Sequence, residues 1–506
     1  MTTQPGIVYL VGAGPGDPGL LSLRGKECLE RADMVLYDGL ASPLLLRYTR
    51  ADCERTSRLA GPDGKQLPQE EINRKLVDAA KQGKVVVRLK GGDPYIFGRG
   101  SEEAQALRAS GIPFEVIPGV TAAVAAAEYA GISLTHRTHA SAVAFITGHE
   151  DPAKADSSLD YDNLAHFPGT LVFYMGLHRL PSIVQRLLDA GKSAETPACV
   201  ISRGTQTRQR TVEGTLANLP DKVTSAELHA PSLIVVGDCV TMREELAWFE
   251  DRPLFGTRIA IPRPLPQAYD TADLCIERGA WPVLTPAIAI SPVDDFSEID
   301  RTLESLEQYD WLIFTSRNGV EQFFARFFQL GNDVRRLGSL QLAAIGSATA
   351  GALAEFHLNA DVIPESFRAE ELAAALKDRV QGKHVLWLRA NRGRDVLPTE
   401  LGAIAESFQE LVIYNNEDIA QLDAEVLEQF RNREIDWVAL SSPSIARAMA
   451  RLIPEEIRQT AEFKIATISP VTSEAARESG FTVNAEATSF TWPGILDAIQ
   501  AFERQV

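Results

Sequence analysis

The sequence predicts an α/β protein built from two successive modules. Apolar, branched runs end in glycine, serine or threonine turns and are followed by helical stretches, which is the alternation typical of α/β folds. The 506 residues are also more than one hydrophobic core supports. Formal charge is uneven, with −4 through Glu250 (26 Lys and Arg against 30 Asp and Glu) and −14 beyond it. We therefore expect modules at 1–250 and 256–506, joined by a short linker that does not require a shared core.

Composition argues against several classes of function. The net charge of −18 disfavours a nucleic-acid surface. No apolar run approaches the roughly 18 residues of a membrane span, and no basic region precedes an apolar stretch at the N-terminus, so no export signal is expected. The five cysteines are scattered without a C-x-x-C pair, which favours a reducing compartment and disfavours a zinc framework. We expect a cytoplasmic protein with no metal site and no membrane partner.

The stretch from Val86 to Glu103 gives the strongest local signal. A branched apolar strand stops at Gly91-Gly92-Asp93-Pro94. The glycines let a ligand approach the backbone closely, and the proline ends ladder pairing. Arg99 and Glu102 follow at i, i+3 spacing and would share one face of a helix. The pattern predicts a ligand site at the carboxyl edge of an α/β sheet, although the turn alone is equally compatible with an ordinary loop beside a surface ion pair.

The loop from Gly12 to Gly19 has the sequence G-A-G-P-G-D-P-G. A dinucleotide fingerprint would need a third glycine at the position of Asp17 and a helix that starts there. Pro15 and Pro18 favour an extended loop instead. We therefore expect a rigid loop with exposed amides beside a pocket, and no nicotinamide site.

These segments resemble the uroporphyrinogen-III C-methyltransferases of the tetrapyrrole methylase family. The resemblance rests on G-A-G-P-G-D-P-G-L-L-S-L-R-G, V-V-R-L-K-G-G-D-P-Y-I-F-G-R-G-S-E-E, P-Q-E-E-I-N and G-I-S-L-T-H-R, and it extends over about residues 6–250. It implies a two-lobed tetrapyrrole methylase fold with S-adenosyl-L-methionine as cofactor and S-adenosyl-L-homocysteine as its product. It also implies a homodimer formed through this half.

The same resemblance implies site residues. It implies catalysis by Asp38 (as proton acceptor), Arg99 and Glu102, substrate binding by Arg137, and cofactor contacts by Pro15, Gly91, Gly92, Asp93, Ile96, Thr121, Ala122, Met175 and Gly204. From the residues alone, Asp38 and Thr121 are also ordinary caps, and Met175 is also ordinary packing. The family's proton-donor lysine is replaced here by Ala60, with Arg58 or Lys65 as alternatives.

The second module contains an internal repeat. Residues 312–318 and 342–349 are echoed by 437–444 and 464–472, at separations of 126 and 123 positions. Each unit is an apolar strand that ends in serine or threonine before a helix, which predicts an anion site of hydroxyls and helix N-terminal amides. Plain helix capping explains any one of these turns, but four turns in two matched pairs favour a shared function.

This module resembles uroporphyrinogen-III synthase through the blocks F-T-S-R-N, A-I-G-S-A-T-A and S-P-S-I, in that order. The resemblance implies two α/β lobes across a cleft, with the first lobe built from about residues 256–290 and 420–506. It implies catalysis by Tyr414 and Thr472, and substrate binding by Ser316, Ser347, Thr349, Arg389, Ser442 and Ser444. On the sequence alone, Tyr414 is equally well a half-buried strand aromatic.

Together the resemblances imply a bifunctional enzyme. The second module would close hydroxymethylbilane to uroporphyrinogen III with loss of water and inversion of ring D. The first would methylate that product at C2 and C7 with two molecules of S-adenosyl-L-methionine, giving precorrin-2 for the sirohaem or cobalamin pathway. The substrate carboxylates need cations, for which Arg99, Arg137 and Arg389 are candidates. The alternatives are a later corrin-ring methyltransferase fused to a non-catalytic two-lobed ligand-binding domain, or a binding protein of the periplasmic type, which the absence of a visible export signal disfavours.

Overall fold

Four five-stranded sheets organise the chain, and each forms the centre of one lobe. The computed structural model describes residues 6–56, 67–148, 159–366 and 368–505. Arg58, Ala60 and Lys65, the positions considered for the proton donor, lie outside these ranges.

The first lobe is a parallel sheet covered by helices on both faces. Its elements are β1 (Val8–Gly12), α1 (Leu23–Glu30), β2 (Met34–Tyr37), β3 (Asp52–Arg55), α2 (Gln69–Lys81), β4 (Val86–Lys90), α3 (Gly100–Ala109) and β5 (Phe114–Ile117), with short 3-10 helices at Pro18–Leu20 and Pro43–Tyr48. The strand order is β3-β2-β4-β1-β5, and all pairings are parallel. β4 is buried at every position, as a strand covered on both faces requires. Since parallel strands end at one edge, the loops after β1, β4 and β5 meet there.

The second lobe is a mixed sheet. Its elements are α4 (Ala122–Tyr129), β6 (Val143–Thr147), α5 (Tyr161–Ala165), β7 (Thr170–Tyr174), α6 (Leu180–Asp189), β8 (Pro197–Ser202), β9 (Arg210–Thr215), α7 (Leu219–Ser225), β10 (Ser232–Val236) and α8 (Arg243–Leu246), with 3-10 helices at Leu177–Arg179 and Asp238–Met242. The order is β6-β7-β10-β8-β9; β6 and β7 pair in parallel and the others antiparallel. The alanines of α4 pack on one face of the sheet, while α6 and α7 cover the other.

The second half of the chain interleaves its two lobes. The chain enters the third lobe with β11 (Arg258–Ile261), α9 (Leu265–Glu277) and β12 (Trp281–Leu284). It then forms the fourth lobe from β13 (Ile288–Pro292), α10 (Ser297–Glu304), β14 (Trp311–Phe314), α11 (Arg317–Gln329), β15 (Gln341–Ala344), α12 (Ser347–Glu355), α13 (Ala369–Leu376), β16 (His384–Ala390), α14 (Val396–Leu401) and β17 (Ser407–Asp418), with 3-10 helices at Leu306–Gln308 and Val334–Leu337. It returns to the third lobe with α15 (Ala424–Arg431), β18 (Trp437–Leu440), α16 (Pro443–Leu452), α17 (Glu455–Thr460), β19 (Lys464–Thr467), α18 (Pro470–Glu478), β20 (Val483–Glu486) and α19 (Trp492–Glu503). The end of the chain thus completes the third lobe, in agreement with the lobe composition expected from the sequence.

The internal repeat corresponds to two matched pairs of strand–helix units. The third sheet has the order β12-β11-β18-β19-β20 and the fourth β13-β17-β16-β14-β15. β14 and β15 are parallel neighbours followed by α11 and α12, and β18 and β19 are parallel neighbours followed by α16 and α18. Each lobe therefore has two adjacent helix N-termini at the carboxyl edge of its sheet.

The two halves are packed against each other at the short linker, which was expected to place them close together without requiring a shared core. Leu44, from the first lobe, belongs to one buried cluster with Leu254 of the linker and Ala268 of α9. Arg47 donates to both carboxylate oxygens of Asp273 at 2.8 Å. An apolar cluster thus crosses the boundary, together with an ion pair in which one guanidinium nitrogen, Nη1, contacts both carboxylate oxygens.

Asp273→Ala should lower the free energy of unfolding by about 1–3 kcal/mol, because it leaves a largely buried guanidinium without its acceptor. The Arg47 side chain is 15% exposed. Urea unfolding followed by tryptophan fluorescence measures the change. Asp497→Ala is the matched control: Asp497 also lies on a third-lobe helix and pairs with an arginine, but it is 65% exposed, so the loss should be below about 1 kcal/mol. Equal losses would contradict a stabilising role for the Arg47 pair.

Candidate active sites

The first candidate site begins where three backbone segments of the first lobe touch. A Cβ atom on Gly12, at the end of β1, would lie 2.5 Å from the Cα of Gly119, which follows β5. Gly92, after β4, exchanges backbone hydrogen bonds of 2.7 and 3.2 Å with Gly14. Gly92 also has φ = +69°, a conformation that favours glycine. The glycines therefore allow three loops to form one continuous surface.

Asp93 fixes this surface through backbone contacts. One carboxylate oxygen accepts from the amides of Tyr95 and Ile96 at 2.8 and 3.2 Å, and the other accepts from the amide of Gly119 at 3.1 Å. The side chain therefore cross-links the loop after β4 to the loop after β5. The structure thus gives Asp93 a role in shaping this loop, and its contact with a cofactor stays a prediction.

Asp38 has a similar arrangement at the end of β2. Its Oδ1 accepts from the amides of Leu40 and Ala41 at 2.9 and 3.0 Å, and its Oδ2 accepts from the amide of Gly91 at 3.0 Å. These contacts match the cap that the sequence also allowed, and they tie β2 to the glycine loop. The role of proton acceptor stays a prediction.

Strained backbone marks the same region. Eight non-glycine residues in the described part of the chain have positive φ, and five of them follow β4, β7 or β8: Phe97, Arg99, Met175, Arg203 and Thr205. Their loops converge, since the rings of Phe97 and Tyr174 are 4.9 Å apart and the amide of Asp17 donates to Thr205 Oγ1 at 3.1 Å. Such strain persists where the surroundings enforce it, and it concentrates at ligand sites.

Thr121 occupies the N-cap position of α4, but its hydroxyl does not cap the helix. It lies 2.6 Å from Tyr174 Oη, which itself accepts from the amide of Ala123 at 2.9 Å. The expected cap is therefore supplied by Tyr174, a correction to the sequence analysis. Burial raises the pKa of Tyr174, so this hydroxyl stays protonated at neutral pH. The adjacent Met175 is 51% exposed, and packing alone does not explain it.

The remaining predicted cofactor residues have different surroundings. A Cβ on Gly92 would meet only the amide nitrogen of Ala122, at 3.7 Å, so the space above the loop is open. Ile96 is exposed, and Pro15 is half-buried. A Cβ on Gly204 would collide with Ala126 of α4, so packing explains this glycine, and its cofactor contact stays a prediction.

Arg99 and Glu102 form the expected pair on one helix face. Arg99 Nε and Nη2 donate to the two carboxylate oxygens at 2.9 and 2.7 Å, with both side chains about half exposed. This pairing raises the pKa of Arg99 and lowers that of Glu102. It argues against Arg99 as a base and favours anion binding. Arg137 is also exposed, and its substrate role stays a prediction.

A buried charge cluster lies beneath the glycine loop, and the sequence analysis missed it. Arg88 Nε, Lys90 Nζ and Gln69 Nε2 converge on Glu103 Oε1 at 3.0, 3.1 and 3.1 Å. Glu103 is fully buried, and its Oε2 has no hydrogen-bond partner among the described residues. Burial and the Arg88 charge lower the pKa of Lys90. The sequence did contain a signal for this cluster. Arg88 and Lys90 are two residues apart on an otherwise apolar strand, and alternate strand residues share one face, so a buried carboxylate between them could have been predicted.

The second candidate site lies at the head of α11. Ser316 accepts from the amide of Gly319 at 2.9 Å as the helix cap, and its Oγ lies 2.9 Å from Tyr414 Oη. Tyr414 is 4% exposed. Burial raises its pKa, although hydrogen bonds from Ser316 and Asn318 act in the opposite direction. The tyrosine is thus a neutral hydroxyl held at a helix N-terminus.

The other three turns of the repeat are less uniform. Ser442 caps α16 and its Oγ is 3.0 Å from that of Ser444. At α18 the cap is Ser469, which the sequence analysis did not select, and the predicted Thr472 is 1% exposed. At α12 the N-cap is Gly346, with Ser347 exposed and Thr349 buried. Thr472 and Thr349 are thus buried at the starts of their helices, with Thr472 Oγ1 3.2 Å from the Oγ of the cap Ser469. Their predicted roles in catalysis and substrate binding stay predictions.

Arg389 was expected to bind a substrate carboxylate, and the structure places it in ion pairs away from Tyr414, so that role stays a prediction. It forms ion pairs with Glu410 and Asp395 and stacks on Trp387 with a guanidinium-to-ring distance of 4.3 Å. Trp387 packs in the cluster on one face of the fourth sheet, whereas Tyr414 packs on the other. Because side chains alternate along β16, Arg389 shares the Trp387 face.

Within the described ranges, no helix is long and apolar enough to cross a membrane. The same residues contain no group of three or more His, Cys, Asp or Glu side chains arranged to hold a metal ion.

Comparison with known proteins gives matches to both halves. The model for tetrapyrrole (corrin/porphyrin) methylases matches residues 7–220, and that for uroporphyrinogen-III synthase HemD matches residues 270–497. The chain is similar to "Porphyrin biosynthesis protein HemD" of Ruminiclostridium josui, with 36% identity over 444 residues, which is 87% of this chain and 88% of that protein. It is 42% identical to "Uroporphyrinogen-III C-methyltransferase" of Bacillus subtilis (strain 168) over 68% of this chain and 70% of that protein. It is 53% identical to "Siroheme synthase" of Pseudomonas fluorescens (strain SBW25), over 49% of this chain and 53% of that protein.

Glu103→Gln should destabilise the first lobe by about 3–5 kcal/mol, because two buried cations lose their counter-charge. Hydrogen exchange of the β4 amides reports this locally, as a loss of protection. Glu102→Gln is the matched control at the preceding position of α3. The Glu102 carboxylate is about half exposed, so its loss should cost less than about 1 kcal/mol. Unchanged β4 protection in Glu103→Gln would show that the cluster contributes nothing to stability.

Proposed function

This chain belongs to the family of proteins that join a tetrapyrrole methylase to a uroporphyrinogen-III synthase, and we propose that a single chain catalyses two consecutive steps of tetrapyrrole synthesis. The second half, residues 256–506, closes hydroxymethylbilane to uroporphyrinogen III with inversion of ring D. The first half, residues 1–250, transfers two methyl groups to C2 and C7 of that product, which yields precorrin-2. The product enters the sirohaem or cobalamin pathway.

The methylase activity is supported by the glycine junction, where the loops that contain Gly12, Gly92 and Gly119 touch, and by the residues with positive φ that surround it. S-adenosyl-L-methionine supplies an electrophilic methyl group on a sulfonium. The open space beside Gly92 and the exposed Met175 leave this edge of the sheet accessible to such a ligand. Methyl transfer to carbon depends on alignment of the reacting atoms, so the rigidity that Asp93 and Asp38 give to the loop is their main contribution. Glu102 occupies Arg99 Nε and one hydrogen of Nη2. Arg99 holds a substrate carboxylate through the Nη1 and Nη2 hydrogens that are not paired with Glu102.

The synthase activity is supported by Tyr414 at the head of α11. Ring closure breaks the carbon–oxygen bond of the hydroxymethyl group, and the departing hydroxide takes up a proton to become water. The Tyr414 hydroxyl is protonated across the physiological range and serves as the donor. Ser316, which touches the same oxygen, orients it. The helix N-termini of the four turns supply partial positive charge for substrate carboxylates.

The whole proposal is tested with the full chain, hydroxymethylbilane and S-adenosyl-L-methionine. Without the methyl donor, mass spectrometry and isomer separation should identify uroporphyrinogen III. With the donor, a doubly methylated product should replace it. If hydroxymethylbilane yields only the isomer without ring D inversion, the second-half assignment is ruled out. Supplied uroporphyrinogen III that is not methylated in the presence of the methyl donor would rule out the first-half assignment.

Arg99→Lys keeps the charge but loses the fork, so kcat/KM for methylation of supplied uroporphyrinogen III should fall by roughly tenfold to a hundredfold. Arg108→Lys is the matched control, because Arg108 is at the other end of α3 and contacts the ring of Phe114. A wild-type rate in Arg99→Lys would remove the forked contact from the mechanism.

Tyr414→Phe should slow ring closure roughly a hundredfold, the lower part of the range for a positioned proton donor. Tyr309→Phe is the control, since Tyr309 is also a buried tyrosine of the fourth lobe with a hydrogen bond to a side chain, Gln409. Methylation of supplied uroporphyrinogen III should stay at the wild-type rate in both variants. If Tyr414→Phe closes the ring normally, Tyr414 belongs to the core and not to the reaction.

A further inference from the structure

Arg263 lies on the third-lobe wall that faces the fourth lobe, and no role has yet been given to it. It follows β11, a strand flanked by β12 and β18, and stands between Pro262 and the start of α9. It is half-buried. This is the carboxyl edge of a parallel sheet, where ligands of such folds bind.

The guanidinium of Arg263 is held only by neutral groups. It donates to Thr271 Oγ1 at 3.0 Å and to Gln267 Oε1 at 2.9 Å, and it lies 5.5 Å from the ring centre of Trp492. In the described part of the chain, no carboxylate forms an ion pair with it. The fork is therefore oriented but its charge is not matched.

The charges around Arg263 make this arrangement costly. Burial lowers the pKa of Arg263, Asp270 raises it, and the nearby Arg317 lowers it further. Arg317 itself pairs with Glu321 and Glu355. An arginine stays protonated in proteins, and a partly desolvated cation without a counter-ion is unfavourable unless an anion completes the site. The missing partner is thus an anion that comes from outside the chain.

A hydrogen bond connects the surroundings of Arg263 in the third lobe to the second candidate site in the fourth lobe. Gln267 Nε2 donates to Asn318 Oδ1 at 2.9 Å, which connects α9 of the third lobe to α11 of the fourth. Asn318 lies close enough to Tyr414 to lower the pKa of its hydroxyl. Gln267 and Asn318 therefore connect Arg263 to the surroundings of the hydroxyl assigned to ring closure, on the opposite wall.

We propose that Arg263 is the third-lobe anchor for a carboxylate of the linear tetrapyrrole, with Gln267 and Thr271 holding its fork in the binding orientation. The proposal rests on the synthase function proposed above and names a further substrate-binding residue for it. Two parallel N–H donors match the geometry of a carboxylate. A contact on the wall opposite Tyr414 would hold the substrate across the cleft while the ring closes.

The test measures ring closure by the full chain in Arg263→Gln, Arg263→Lys and a control, Arg335→Gln. Arg335 is an exposed fourth-lobe arginine that pairs with the carboxylate of Asp333. Arg263→Gln should raise KM for hydroxymethylbilane roughly tenfold to a hundredfold, the effect of losing a hydrogen bond to a charged group. The value of kcat should change by less than about threefold, since the contact is the same in ground and transition states. Arg263→Lys should recover part of the KM, and Arg335→Gln should match wild type.

Other outcomes overturn the proposal. A wild-type KM in Arg263→Gln excludes a substrate contact. A fall in kcat and thermal midpoint without a change in KM, or equal losses in the Gln and Lys variants, shows that Arg263 only stabilises the lobe. If Arg263→Gln fails to fold, a wild-type KM in Arg263→Lys still excludes the forked contact. A wild-type chain that does not cyclise hydroxymethylbilane would instead overturn the synthase function itself.

Discussion

The direction of the parallel strands is the constraint on which both candidate sites depend. Strands that run the same way end at one edge of the sheet, so Asp38, Gly92 and Gly119 meet although they are far apart in the chain. The third and fourth sheets repeat this arrangement and bring their helix N-termini to one edge each. The second lobe is mostly antiparallel, and it contributes instead through strained turns after β7 and β8. Chemistry therefore concentrates at the strand ends, while the strands themselves form the cores.

At these sheet edges, the hydrogen-bond and ion-pair partners of a charged side chain indicate whether it stabilises the protein or is available to a ligand. Asp38 and Asp93 direct their carboxylates to backbone amides, so their charge shapes the loop. Arg389 is matched by two carboxylates and stacked on a tryptophan, which leaves it little to offer a ligand. Arg263 has the same fork but only neutral partners. Counting cations in a sequence cannot make this distinction, because it depends on contacts between distant segments.

The parts of the fold that could be predicted from sequence are those with local causes. Strand ends, glycine turns and the repeated strand–helix units follow from residue patterns a few positions long. The prediction that the Thr121 hydroxyl caps α4 was wrong, because the hydroxyl of Tyr174, 53 positions away in the chain, takes its place. The side of the sheet on which Arg389 lies could have been predicted, because Arg389 and Trp387 are two positions apart on one strand and therefore share a face. The Glu103 cluster is harder, since a helix carboxylate and two strand cations must first be brought together by the sheet.

The contacts between the halves restrict where motion can occur. The ion pairs that cross the boundary end on the third-lobe residues Asp273, Glu425 and Glu434, and the shared apolar cluster is also built on that lobe. The third lobe is thus fixed to the methylase half. The fourth lobe is joined to the third by the hydrogen bond between Gln267 and Asn318. A displacement of the fourth lobe would have to break that bond, but it would leave the ion pairs between the two halves of the chain intact, because those pairs end on the third lobe.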